Sequence, residues 1–235
     1  IANRLLLSLA ISSAISSAAI SSAAMGKEPD KRSPLEELTI IGSQENARRL
    51  AGSAHFIGAE KLQQFSYSDI QRIAREVPGV SIQIEDGYGL RPNIGIRGVA
   101  TERSGRITLL EDNVLIAPAP YSAPAAYYFP TVGRLSAIEV VKGPSAITQG
   151  PFTIGGALNM VSTPIPTDMG GSVVTEIAQD STYRVHATYG GRTDSGFGFL
   201  LETHQWQSAG FQNIDRSSQG TGLDVKDYTV KLSYA

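Results

Sequence analysis

Apolar and polar positions along the chain change pattern four times. Residues 5–20 form an apolar run diluted by Ser, with Arg4 ahead of it and Ser22, Ala23 and Ala24 behind it. A positive charge, an apolar stretch and a small-residue end is the order of a secretory signal, here suited to cleavage after Ala24. A transmembrane anchor is the competing reading, because the run is about long enough to span a bilayer. The repeated Ile-Ser-Ser-Ala texture is weakly hydrophobic, however, and no basic stop follows it. Residues 25–34 are polar, carry Pro29 and Pro34, and predict an unstructured leader. Leu35-Glu36-Glu37-Leu38-Thr39-Ile40-Ile41-Gly42 then stands alone as a short β-prone run ended by Gly. Its backbone N–H and C=O groups need partners that a lone strand cannot supply. Pairing is therefore expected, either within the chain or with another protein.

From residue 54 to residue 163 the pattern is mixed. Ile70, Ile73, Ala74 and Val77 recur at helical spacing, with Ser68 as expected N-cap, Gln71 as its capping-box partner and Pro78-Gly79 as the stop. Short strands are predicted over 54–57, 80–84, 94–97, 106–110, 113–117, 138–142 and 157–162, with Asp112-Asn113 as a tight hairpin turn. An α+β domain follows from that order. Pro164-Ile165-Pro166 reads as a stiff linker.

Beyond the linker the period becomes two. Tyr183, Val185, Ala187 and Tyr189 alternate with Arg184, His186 and Thr188. Phe197, Phe199 and Leu201 alternate with Gly198, Leu200 and Glu202, and Tyr228, Val230, Leu232 and Tyr234 with Thr229, Lys231 and Ser233. Such segments suit antiparallel transmembrane β-barrel strands, apolar toward lipid and polar toward the lumen. A soluble antiparallel sheet with one wet face would alternate in the same way. Three or four strands cannot close a barrel, so the sequence is expected to be part of a longer chain. Its organisation reads as signal 1–24, tail 25–53, α+β domain 54–163 and first barrel strands 164–235.

Composition narrows the chemistry. Twenty Lys and Arg against 22 Asp and Glu give a formal charge of −2, which points to no nucleic-acid partner. Charged residues are 18%, below the roughly 25% of soluble domains. Cys is absent, which excludes disulfides, zinc–thiolate sites and Cys nucleophiles, and His55, His186 and His204 lie at no metal-ligand spacing. No nucleophile elbow, Walker loop or zinc motif is present, so no enzyme activity and no cofactor are expected.

Four segments resemble the start of a TonB-dependent outer-membrane receptor. Glu37-Leu38-Thr39-Ile40-Ile41-Gly42 is similar to a TonB box, and Ile94-Gly95-Ile96-Arg97-Gly98 and Ile138-Glu139-Val140-Val141-Lys142-Gly143-Pro144 to two plug-domain motifs. Gly150-Pro151 with Gly155-Gly156-Ala157-Leu158-Asn159 resembles the closing motif of the plug. Within that family, residues 115–128 and Gly196-Phe197-Gly198-Phe199 most resemble the ferric dicitrate and siderophore receptors. Of three plug positions that reach the dicitrate substrate, this chain keeps the arginine as Arg97; the threonine falls near Tyr88 and the glutamine on Ala123.

The resemblance implies a plug inside a barrel of about 22 strands in the outer membrane of a Gram-negative bacterium. It implies outer-membrane lipid and TonB as partners, TonB being driven by the inner-membrane ExbB/ExbD motor, and import of a ferric chelate. Cobalamin, haem, nickel, copper or a glycan is an alternative cargo; a passive porin or adhesin is an alternative class. TonB would grip Glu37, Leu38, Thr39, Ile40 and Ile41 by β-augmentation, unless this segment is a plain linker. Arg97, Glu139 and Lys142 are expected at breakable plug–barrel contacts, the alternative being ordinary surface ion pairs. Tyr88, Arg91, Arg97, Arg103 and Tyr121 are expected to offer cationic and hydroxyl donors to an anionic chelate. Alternatively the tyrosines pack as core.

Overall fold

The computed structural model describes residues 39–50, 52–65, 69–83, 85, 87–116, 128–211 and 221–234. The expected signal and leader, Glu37 and Leu38, Ser68 and Tyr121 lie outside these residues. In chain order the elements are α1 (Gln44–Arg49), β1 (Ser53–Gly58), α2 (Ala59–Phe65), α3 (Ile70–Ala74), β2 (Val80–Gln83), β3 (Asn93–Ile96), β4 (Ile107–Glu111) and β5 (Val114–Leu115). Then come β6 (Leu135–Lys142), β7 (Gly156–Ser162), β8 (Gly170–Ala178), β9 (Thr182–Arg192), β10 (Phe197–Ser208) and β11 (Leu223–Tyr234).

Five strands form the first sheet in the order β1-β6-β7-β4-β5, β2 and β3 pair beside it, and β8 to β11 form a four-stranded sheet. In the first sheet only β4 and β7 run parallel. The crossover between them carries β6, leaving β6 and β7 inside the sheet, and packing on both sheet faces then covers them. All eight residues of β6 except Ser136, and all seven of β7, are buried. That is why these strands read as continuous apolar runs rather than alternating ones.

Each face of the first sheet has its own cover. Ile138 and Val140 of β6, Leu158 and Met160 of β7 and Ile107 and Leu109 of β4 pack with Ile70, Ile73 and Val77 and with Ile94 and Ile96. Period two sends Val141, Ala157 and Leu110 to the opposite face, where they pack with Ile41 and Ala47 of the N-terminal segment. The helical spacing of Ile70, Ile73, Ala74 and Val77 is thus a true core stripe. Its cap differs from expectation: Asp69 accepts the N–H of Gln71 at 2.7 Å, while Gln71 itself is 1% exposed and cannot reach back as a capping-box partner. The Asp112-Asn113 turn forms as predicted, with φ of 49° and 64°, the positive pair that a two-residue hairpin of this hand requires.

The second sheet keeps the predicted alternation. Cross-strand neighbours Phe197 and Tyr234, Phe199 and Leu232, and Leu201 and Val230 share one face with Tyr189. Tyr189, Phe197, Leu201, Val230, Leu232 and Tyr234 are exposed on it. The other face carries Arg184, His186, Glu202, His204, Asp227 and Lys231 toward the α+β domain. These strands are 9 to 12 residues long, the length that crosses a bilayer when tilted. β8 and β11 are the edges of an unclosed sheet. No helix of the described residues is long and apolar enough to cross a membrane.

Candidate functional site: a docked N-terminal segment

The β-prone run around residue 40 forms no strand over its described residues. Its described part, residues 39–42, lies on the first sheet over a single carboxylate. Glu139 sits in the middle of β6, with no exposed surface, on the face shared by Val141, Ala157 and Leu110. Its Oε2 accepts the N–H of Ile40 at 2.7 Å, and its Oε1 those of Ile41 at 2.9 Å and Gly42 at 2.7 Å. Asn159 on the neighbouring strand donates Nδ2 to Oε2 at 2.9 Å. Three successive amides pointing at one anion make a nest, and Gly42, at φ +71°, supplies the left-handed turn that closes it. A strand cannot do this, since its N–H groups alternate in direction.

Two further contacts fix the segment. Ile41 is 4% exposed among Ala47, Leu110, Val141, Ala146 and Ala157, which is worth about 1.5–3 kcal/mol. Asn46 of α1 donates Nδ2 to the Ile41 carbonyl at 3.0 Å, and Ser43 caps α1 by accepting the Asn46 N–H at 3.1 Å. Hydrogen bonds to a charged acceptor add about 1.5–3 kcal/mol each. The N–H groups of residues 40–42 are therefore satisfied within the chain, through a side chain rather than a strand edge.

Among the described residues Glu139 meets partners within the α+β domain and its N-terminal segment. Both of its oxygens are taken by the tail and Asn159. Lys142 donates Nζ to the Pro78 carbonyl at 2.8 Å, inside the α+β domain. Burial, and then the neighbouring Arg97, hold its ammonium below the usual lysine range. Arg97 is exposed, and its guanidinium lies close to Gly143. No carboxylate of the described residues comes within salt-bridge distance of Arg97 or Lys142.

The contacts between the domain and the second sheet lie elsewhere. Arg134, at the foot of β6, is 5% exposed and donates Nε to Asp227 of β11 at 2.8 Å. Its Nη2 reaches Glu111 and, at 3.0 Å, the Tyr128 hydroxyl, which in turn donates to Glu111 at 2.9 Å. Burial opposes the charge on Arg134, but Glu111, Asp227 and Tyr128 outweigh it and raise its pKa. Burial, then Glu111, pushes Tyr128 up to about 12, so it stays a neutral donor. Lys231 of β11 reaches Asp112 at 3.3 Å, and Thr163 donates to Glu202 of β10 at 2.7 Å. Sequence reading missed the contacts between domain and sheet because Arg134 and Asp227, Thr163 and Glu202, and Asp112 and Lys231 lie 93, 39 and 119 residues apart.

Of the expected ligand residues, Tyr88 packs on the second sheet. Its ring meets Trp206 and Phe211 edge-on at 5.6 and 5.3 Å, and its hydroxyl donates to the Thr221 carbonyl at 3.0 Å. Gly87 permits this approach, since a Cβ there would lie 2.4 Å from the Phe211 ring. Arg91 and Arg103 are exposed. Asn93, 8% exposed, ties their two loops together: its Nδ2 donates to Glu85 at 2.8 Å and its Oδ1 accepts the Arg103 N–H at 2.7 Å. Arg97 lies apart from them, next to Lys142 and Gly143.

Comparison with known proteins agrees with this arrangement. Residues 46–157 match the family described as TonB-dependent Receptor Plug Domain. The Vitamin B12 transporter BtuB of Vibrio vulnificus is 23% identical over 182 residues, 77% of this chain and 27% of the relative. That of Photobacterium profundum is 26% identical over 140 residues, 59% of this chain and 22% of the relative. The chain thus spans about a quarter of the length of these curated relatives. Among solved structures, the ferric citrate transporter FecA in its unliganded form superposes with a TM-score of 0.69 at 24% identity, covering 86% of this chain and 31% of that one. The ferric yersiniabactin uptake receptor FyuA from Yersinia pestis gives 0.62 at 19%, covering 79% and 29%. At these identities the likeness is one of fold. Residues 46–157 thus match a TonB-dependent receptor plug domain, and together with the antiparallel strands packed against them they share the fold of the solved receptors.

Proposed function

We propose that the full-length protein imports a ferric chelate, ferric citrate or another siderophore, across the outer membrane, driven by TonB and its ExbB/ExbD motor. The observation that carries this reading is the docked N-terminal segment: residues 39–42 lie on the plug through the Glu139 and Asn46 side chains and one buried isoleucine. An outer membrane lacks its own nucleotide supply, so work must arrive mechanically, and an extended peptide at the plug surface is a handle for it. TonB would bind residues 37–41 by strand addition. Export through the signal at 1–24 and insertion of the exposed apolar face of β8 to β11 in lipid complete the reading.

Arg91 and Arg103, whose loops Asn93 joins, are the proposed cationic contacts to an anionic chelate, with Tyr121 as a proposed hydroxyl donor. Their loops lie at the end of the second sheet that carries the long 209–222 connection, where Tyr88 meets Phe211 and Thr221. Long connections face outward in such barrels. Arg97 and Lys142 are proposed to meet carboxylates on other parts of the barrel wall.

Cobalamin is the second reading, favoured by the two curated relatives named as vitamin B12 transporters. Titrating the purified full-length receptor with ferric citrate, other ferric siderophores, haem and cobalamin separates the two. The expected result is a ferric chelate bound at least about a hundredfold tighter than cobalamin, about 2.7 kcal/mol. Tighter binding of cobalamin than of any ferric chelate would reject the iron assignment.

A further inference from the structure

We infer that Glu139 is the positioning residue that decides how often the receptor offers its N-terminal segment for strand pairing, because the docked and the strand-paired states of residues 40–42 exclude one another. This deepens the TonB reading above and rests on it for the identity of the partner.

The case starts from an anomaly in β6. Both faces of this strand are buried, and its residues from Ala137 to Val141 are apolar apart from one acid. A buried carboxylate there is costly unless it is fully hydrogen-bonded. Glu139 is: four N–H donors converge on its two oxygens, three of them from consecutive backbone amides 97 to 99 residues away in sequence. Without the tail, the carboxylate would keep only Asn159. The tail in turn would expose Ile41 and three amides. Each side therefore satisfies the other.

Geometry then makes the contact a switch. Strand addition needs N–H groups that alternate between the two edges of an extended chain. In the docked state Ile40, Ile41 and Gly42 turn their N–H groups to one carboxylate, and Gly42, at φ +71°, is in the left-handed region rather than extended. A partner strand cannot pair with residues 40–42 while Glu139 holds them. The apparent affinity for such a partner is the intrinsic affinity reduced by the fraction of molecules with the segment released. Glu139 sets that fraction.

Glu139→Gln tests this with the least change in shape. One amide oxygen replaces two carboxylate oxygens, and the new NH2 must face either the Ile41 and Gly42 amides or the Ile40 amide together with the Asn159 Nδ2. Asn159 cannot turn over without cost, since its Oδ1 accepts the Asn113 N–H at 3.0 Å. Full-length receptor, wild type and E139Q, is followed by amide hydrogen exchange and by titration with the purified periplasmic domain of TonB. Exchange at Ile41 and Gly42 is expected to speed at least about tenfold, and TonB to bind about tenfold tighter without added ligand. Asn46→Ala, on the surface of α1, removes only the bond to the Ile41 carbonyl and should move both readouts the same way by about two- to fivefold. It serves if E139Q does not fold. Unchanged exchange at residues 40–42 in a folded variant overturns the inference. Faster exchange with no TonB binding to either form supports the latch and overturns the choice of partner.

Discussion

Deletion of residues 37–41 from the full-length receptor is expected to abolish energy-dependent uptake while leaving ligand binding at the cell surface intact. The two activities separate because they lie at different places on the plug. The segment packs on the face formed by Leu110, Val141 and Ala157. The proposed ligand loops are held instead by Asn93, Ser104 and the Tyr88 contacts to the wall, none of which involves residues 39–42. The larger core, from Ile57 through Met160, packs on the other face of the sheet. Loss of the segment removes the burial of Ile41, about 1.5–3 kcal/mol, and opens Glu139 to water, which replaces the lost amides. A domain with its main core intact tolerates a loss of that size. Uptake measured with labelled chelate in cells, beside binding at low temperature, gives both numbers from one culture. Uptake that persists after the deletion would favour a passive pore.

The second large effect is expected at Arg134. Arg134→Ala should destabilise the docking of plug to wall by about 3–5 kcal/mol, the range for breaking a buried ion pair from one side. The guanidinium is 5% exposed and serves Asp227 of β11 together with Glu111 and Tyr128 of the plug. Its removal leaves two carboxylates without their shared cation. Arg134→Lys should recover only part of the loss, because one ammonium cannot present the fork that spans Glu111 and Asp227. Thermal unfolding of the purified receptor reads the change, and a double-mutant cycle with Asp227→Asn isolates the contact across the interface. A near-wild-type melting temperature for R134A would show that the wall is held by other pairs, such as Lys231 with Asp112.

Elements whose own residues decide their form could be read from the sequence. The stripe of Ile70, Ile73, Ala74 and Val77 gave α3, and strict alternation gave β9, β10 and β11. β8 was not singled out, because Val173 and Val174 are adjacent and blur the period, although Val173 and Ile177 share the outer face. α1 and α2, at 6 and 7 residues, are too short to show a period. The central contacts failed to show because they depend on where distant segments meet. Glu139 and Ile41 are 98 residues apart, Arg134 and Asp227 93. One signal was nevertheless present in the string: a lone acid between Ile138 and Val140, in a strand with no polar face to put it on. Tyr88 carried none, since its neighbours in the loop do not reveal the Trp206 and Phe211 rings that hold it.

These 235 residues contain no Cys, so a thiol introduced at position 41, with any Cys elsewhere in the full-length receptor replaced by Ser, gives the most direct test of the docked segment. Ile41→Cys in the full-length receptor, in outer membranes without ligand, is treated with a water-soluble maleimide beside Glu45→Cys, whose parent side chain is 72% exposed four residues away. Labelling at position 41 is predicted to be far slower than at position 45, and to approach it when Glu139→Gln is added. Equal rates at the two positions in the resting receptor would contradict a docked tail and, with it, the proposed coupling of this plug to TonB.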